Sequence, residues 1–142
     1  NKWVILIYEE CAANTFTTLA FNQESSDSGS CYNTSTYRFT PNVTGRYYIS
    51  GFIRSAESED HDNFQLAIYK NGSALISQAN EDSNSDTAFI QTTIHITADL
   101  AVGDYIELYG NPYSFSGQNS FFTNSGGTNR YCHLGGFKLI GI

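Results

Sequence analysis

The sequence predicts an all-β protein, a sandwich or barrel of antiparallel strands, and three observations carry that reading. No window of the 142 residues repeats apolar side chains at intervals of three and four, as an amphipathic helix would. Short runs rich in Val, Ile, Thr, Tyr and Phe recur at regular spacing, separated by Gly, Asn, Asp and Pro turn signals. Ten Tyr and ten Phe beside twelve Gly suit pleated surfaces and tight turns better than helices. A chain of this length has room for one hydrophobic core, so residues 1–142 are expected to form a single domain without internal repeats.

In chain order, Trp3 to Glu9 is a continuous apolar run of the kind a strand buried on both faces shows, and Thr15 to Phe21 is an alternating strand. Gln23 to Cys31, dense in Ser, reads as loop. Tyr37 to Thr40 is a short strand stopped by Pro41, and Thr40 to Gly45 has turn chemistry, with Pro setting φ early and Gly late. Arg46 to Arg54 alternates, placing Tyr47, Ile49 and Ile53 on one face and Phe52 on the other. Phe64 to Lys70 puts Phe64, Leu66 and Ile68 on one face, and Asn71-Gly72 closes it as a hairpin onto Ser73 to Gln78. Ala88 to Thr97 sets Ala88, Ile90, Ile94 and Ile96 against Gln91, Thr93 and His95. Gly103-Asp104 starts a strand running to Tyr109, Asn111 to Asn129 is a long Gly, Ser and Asn loop, and Leu134 to Ile142 is a last strand tied into the sheet.

Charge and composition exclude several functions. Seven Lys and Arg against fourteen Asp and Glu leave a net charge of −7, the wrong sign for a phosphate backbone or an anionic membrane. The longest apolar run, Trp3 to Tyr8, falls far short of the ~20 residues that span a bilayer and is too short for a signal peptide. The chain has no Met, so it is expected to be a mature form or a part of something longer.

Catalytic signatures are missing from the sequence. There is no Gly-x-Ser-x-Gly elbow, no phosphate-binding loop and no His-Glu-x-x-His helix. Cys132-His133 juxtaposes a nucleophile and a base, but neighbours on a strand point to opposite faces and so diverge. His61, His95 and His133 lack zinc-ligand spacing. Sequons at Asn33, Asn42 and Asn71 fall in predicted turns, and glycosylation there would require a eukaryotic secretory origin.

An ordered set of short motifs spans nearly the whole chain: Phe21-Asn22-Gln23-Glu24, Asp27, Tyr37-Arg38-Phe39-Thr40-Pro41 and Gly45-x-Tyr47-Tyr48-Ile49. Lys70-Asn71-Gly72, Leu100-x-x-Gly103-Asp104-x-Ile106-x-Leu108 and Gly136-Phe137-x-Leu139-Ile140 follow at matching intervals. This set resembles the globular jelly-roll head shared by complement component one q and tumour necrosis factor. The spelling Arg38-Phe39-Thr40-Pro41 is closer to the prokaryotic and bacteriophage variants, and Leu134 stands where these heads usually carry Phe. The resemblance implies a two-sheet antiparallel jelly-roll sandwich of about ten strands, without enzymatic activity. It also implies a homotrimer with aromatic residues along its threefold axis. The expected role is a binding or assembly head of an extracellular fibre or virion structural protein, contacting a cell-surface ligand or a neighbouring subunit. A secreted complement-like or cytokine-like protein acting on a receptor is the alternative.

Counting strand directions through that fold places three loops at one end, Ser55 to Asp62, Ala79 to Asp86 and Asn111 to Asn129, opposite the end where the chain enters. These loops are the expected ligand-binding region. Two of them gather Glu57, Glu59, Asp60, Asp62, Glu81, Asp82 and Asp86, half of the fourteen acids. Calcium takes six to eight hard oxygens at about 2.3 to 2.6 Å, so Glu59, Asp60, Asp62, Glu81, Asp82 and Asp86 are candidate ligands, with solvated acids that aid solubility as the competing explanation. Pairing the first strand with the last, Trp3 opposite Ile140, brings Cys11 opposite Cys132 and suggests a disulfide, three unbridged thiols being the alternative.

Overall fold

The computed structural model describes residues 2–6, 9–11, 15–54, 63–81, 91–113, 120–122 and 132–140. Its elements are β1 (Lys2–Leu6), β2 (Glu9–Cys11), β3 (Thr17–Thr18), β4 (Gln23–Asp27), β5 (Tyr32–Asn33), β6 (Arg38–Phe39) and β7 (Gly45–Arg54). There follow β8 (Asn63–Lys70), β9 (Ser73–Glu81), β10 (Gln91–Leu100), β11 (Ile106–Tyr113), β12 (Ser120–Phe122) and β13 (His133–Lys138). One sheet runs β10-β7-β13-β1-β4; the other runs β5-β6-β11-β8-β9, with β3 also paired to β11, and β2 and β12 form a small ladder of their own. All pairings are antiparallel.

Alternation explains the packing. On β7 the residues Tyr47, Ile49, Gly51 and Ile53 are buried and their neighbours are not, so one side of the strand builds the core. They meet Leu66 and Ile68 of β8, Ile94 and Leu100 of β10, Ile106 and Leu108 of β11, and Leu134 of β13, all almost fully enclosed. Tyr47 keeps its polar end satisfied there: its hydroxyl donates to the Val43 carbonyl at 2.6 Å, while its ring meets Phe39 edge-on with centroids 5.7 Å apart. Gly51 leaves room for Leu108 of the other sheet, since a Cβ at that position would stand 2.8 Å from Leu108 Cδ2 and 3.3 Å from Ile94 Cγ2.

The two sheets are clamped at the end where the chain enters. Asn71 and Gly72 have φ of 51° and 82°, both left-handed as a type I′ hairpin turn requires. Asn71 then exchanges backbone and amide bonds with Tyr105, and its Nδ2 donates to Asp104 Oδ1 at 2.8 Å. The other carboxylate oxygen of Asp104 accepts from the Ala101 amide at 2.8 Å and from Lys70 Nζ at 2.9 Å. The Ala101 amide above all, then Asn71 and Lys70, hold the Asp104 carboxyl down at about 2.

Several expected boundaries are corrected. Gln23 to Cys31 is not all loop: β4 occupies Gln23–Asp27 as an exposed outer strand on β1, so its polar residues carry no apolar alternation to see. Of Thr15 to Phe21 only Thr17–Thr18 is strand. β9 continues to Glu81, so Ala79 to Glu81 belong to a ladder with Asn63 to Gln65 and not to a loop. Asn111 to Asn129 likewise begins as strand through Tyr113 and contains β12. The final strand stops at Lys138, and although Leu139 still donates to the Arg46 carbonyl, Ile140 is 98% exposed.

Register decides the cysteines. Trp3 pairs with Gly136, not Ile140, and Cys11 stands opposite Ser120 on β12. The alignment that would bring Cys11 to Cys132 is therefore not the one adopted, and Cys132 is an unbridged buried thiol. Burial pushes that thiol up to about 11, against a weak bond to the Arg54 carbonyl.

Two measurements test these assignments. Gly51→Ala should cost about 1–3 kcal/mol by overpacking the space between the sheets, read as a lower urea midpoint at unchanged slope. Because the Asp104 pKa is depressed, its stabilisation is complete above the unfolded value of about 3.9 and vanishes as pH falls through about 2. Asp104→Asn should therefore melt below wild type at neutral pH, with the gap closing between about pH 4 and pH 2; a gap that persists at pH ~2 would assign the effect to something other than the carboxylate.

Candidate assembly face and distal loops

If Tyr47, Ile49, Gly51 and Ile53 of β7 point inward, Tyr48, Ser50 and Phe52 point out. The ladders on either side place aromatic partners beside them. Tyr48 lies opposite Phe137 on β13 and opposite Thr97 on β10, and Phe52 lies opposite His133 and Thr93. The rings meet: Tyr48 and Phe137 at 5.3 Å, Tyr48 and His95 at 6.2 Å, and Phe52 and His133 at 5.6 Å between centroids. Between the two aromatic rows runs a row of His95, Ser50 and Gly135, of which Ser50 and Gly135 are small.

A solvated sheet face of a sandwich ordinarily alternates to polar residues. Here Phe137 is 42% exposed among stacked rings. Rigid aromatic side chains on strands lose little entropy when covered, and aromatic residues are enriched at the cores of protein interfaces. The arrangement suits coverage by another surface. In the sequence, alternation set Phe52 and His95 on outward faces; that β10 and β13 bring His95, His133 and Phe137 beside Tyr48 and Phe52 could be seen only from the pairing.

The same alternation disposes of Cys132-His133. Cys132 is fully enclosed, while His133 lies on the outer face against Phe52, so the pair cannot act on one substrate. His95 is likewise on the outer face, stacked with Tyr48.

The strand ends bounding the three expected loops do share one end of the sandwich. Arg54 is opposite Gln91, and Asn63 is opposite both Glu81 and Tyr113. The opposite ends of β8 and β10 meet where Lys70 Nζ donates to the Asp99 carbonyl, which fixes the common direction. Glu57, Glu59, Asp60, His61, Asp62, Asp82 and Asp86 lie outside the described residues, and Glu81 is the last residue of β9. Of the sequons, Asn71 and Asn42 use their side-chain amides within the fold, Asn42 Nδ2 donating to the Gly29 carbonyl at 2.6 Å.

The C1q domain model matches residues 4–127. The chain belongs to the C1q domain family. The solved structures agree on the jelly roll: the globular domain of zebrafish complement 1qA superposes with TM-score 0.67 at 19% identity, covering 97% of this chain and 96% of that one. Eiger TNF from S. frugiperda superposes with TM-score 0.70 at 11% identity, covering 97% and 91%. At those identities they speak for the fold alone. A curated relative, the phage-like element PBSX protein XkdV of Bacillus subtilis strain 168, is 31% identical over 97 residues, which are 64% of this chain but only 14% of that protein. C1q domains are typically non-enzymatic recognition modules, and the resemblance to the complement and tumour necrosis factor heads, bacteriophage-like variant, is borne out.

The position of Cys132 yields a direct chemical test. With its thiol raised to about 11, it should resist iodoacetamide in the native protein at mildly alkaline pH and react once denaturant is added. Peptide mapping after alkylation checks this, and rapid native labelling of Cys132 would contradict its burial.

Proposed function

We propose that this C1q domain is the homotrimeric binding or assembly head of an extracellular fibre or virion structural protein, and that copies meet through the aromatic face of the five-stranded sheet. The observation that carries the reading is the cross-strand group Tyr48, Phe52, His95, His133 and Phe137, stacked on an outward surface that a lone sandwich has no reason to make aromatic. Closed cyclic association covers such faces without leaving one exposed on the last copy. The 31% identical phage-element relative favours the virion or fibre setting over a secreted complement-like or cytokine-like recognition protein, which rests on more distant structural likeness. In this reading the head sits on the virion or cell exterior, and the loops that join β7 to β8, β9 to β10 and β11 to β13 are bounded by strand ends opposite the end where the chain enters. There they contact a cell-surface ligand or a neighbouring subunit, the acidic loops remaining candidates for calcium.

Light scattering coupled to size exclusion should give about three times the 15.7 kDa chain mass. Tyr48→Ser combined with Phe137→Ser should yield a folded monomer with the same far-ultraviolet circular dichroism. A wild-type monomer at micromolar concentration, or a double variant that still assembles, would reject this use of the face.

A further inference from the structure

On the flank of the other sheet, the chain between Asp27 and Asn42 turns around an open cleft of about 460 Å³. That volume lies in the range of small-molecule sites, about 300–1,000 Å³. Its walls are polar and uncharged: Ser30, Thr34 and Thr40 contribute hydroxyls, Asn33 and Asn42 contribute amides, Cys31 and Tyr32 complete the lining, and among the described residues no Asp, Glu, Lys, Arg or His lines it.

The corner is held in place by bonds that leave part of each amide available. Asp27 accepts from the Gly29 amide at 3.2 Å and the Tyr32 amide at 2.8 Å, which pins the entering turn. Asn33 Oδ1 accepts from the Ser35 and Thr36 amides at 2.8 and 3.1 Å, so its NH2 group is left over. Asn42 commits its NH2 to the Gly29 carbonyl at 2.6 Å and leaves its oxygen. The Thr40 amide closes the corner onto the Cys31 carbonyl at 2.7 Å. Ser30 and Tyr37 hold left-handed φ of 50° and 60°, a backbone cost that non-glycine residues bear only where surroundings impose it. Among the described residues, the hydroxyls of Ser30, Thr34 and Thr40 take no hydrogen bond.

These features discriminate between ligand classes. A hydrophobic ligand wants an apolar lining, and an anion wants an uncompensated cation. Arg38, opposite Asn33 in the β5–β6 ladder, does not line the cleft; its Nε donates to the buried Glu107 carboxylate at 3.1 Å and its guanidinium lies 4.0 Å over the Tyr105 ring. What remains is a pre-formed array of neutral donors and acceptors at fixed spacing, matched to a ligand that is itself dense in hydroxyl groups. We propose that this cleft is a binding site for a neutral saccharide. It is formed within one chain and lies on the sheet that does not carry the aromatic face, so it stands or falls independently of trimer formation.

The test is an amide chemical-shift titration of the intact chain with neutral mono- and disaccharides of glucose, galactose, mannose, rhamnose and N-acetylglucosamine. At least one should shift amides within Ser30–Thr34 and Thr40–Asn42 with a dissociation constant of order 1 mM, the weak end expected of a shallow site. Thr34→Val and Thr40→Val, both at exposed positions, should each weaken that binding about threefold to tenfold while the melting temperature stays that of wild type. The proposal is overturned if no saccharide in the panel shifts these amides at concentrations of about 50 mM, if the shifts fall elsewhere on the domain, or if both valine variants bind as tightly as wild type.

Discussion

The strand β7 is the constraint on which the rest of the molecule depends. Ten residues long, it is paired along its whole length with β10 and along six residues with β13, so its pleat is rigidly defined on both edges. One side of that pleat supplies Tyr47, Ile49, Gly51 and Ile53 to the core, and Gly51 leaves the space that Leu108 of the second sheet occupies. The other side supplies Tyr48 and Phe52 to the outer face. Because the side-chain period is two, a slip of one residue would exchange core for surface along the entire strand. The core and the proposed assembly face are thus two readings of one register.

A second constraint works across the sheets. The Asn71-Gly72 turn belongs to the β8–β9 hairpin, while Asp104 and Tyr105 precede β11 and Ala101 follows β10, so the bonds among them join consecutive elements of both sheets. Lys70 adds its ammonium to Asp104 and to the Asp99 carbonyl, and Arg46 pairs in bidentate fashion with the Asp99 side chain. This polar clamp lies at the end where the chain enters, which frees the opposite end to vary in loop length and composition without loosening the sandwich.

The two sheets then divide the labour. The five-stranded sheet presents stacked rings and two imidazoles, chemistry suited to being covered. The six-stranded sheet presents a charge-neutralised Arg38–Glu107 pair and, at its β5–β6 flank, a corner of hydroxyls and amides, chemistry suited to remaining wet. In the proposed reading the domain assembles through the five-stranded sheet and leaves the other sheet and the loops to partners outside the assembly.

Local patterns carried most of the fold. Alternation marked β7, Leu66 and Ile68 of β8 and Ile94 of β10 with the correct inward faces, Asn-Gly announced the hairpin, and strand parity placed three loops at one end. Missing from the sequence was anything that depends on which strands are neighbours. The β1–β13 pairing differs by four positions from the one inferred by counting, enough to separate Cys11 from Cys132, because a period of two tells a strand its face and not its partner. β4 was hidden since an exposed outer strand of Gln, Glu, Ser and Asp has no apolar face to alternate. The aromatic face needed three strands side by side, and the neutral cleft needed Ser30 and Asn33 to be brought against Thr40 and Asn42 by a folded corner. By itself the sequence determined the strands, their buried sides and the turns that join them, because these follow from neighbours along the chain. Only the tertiary structure decided register, edges and the composition of each surface, because these arise from residues that meet across strands.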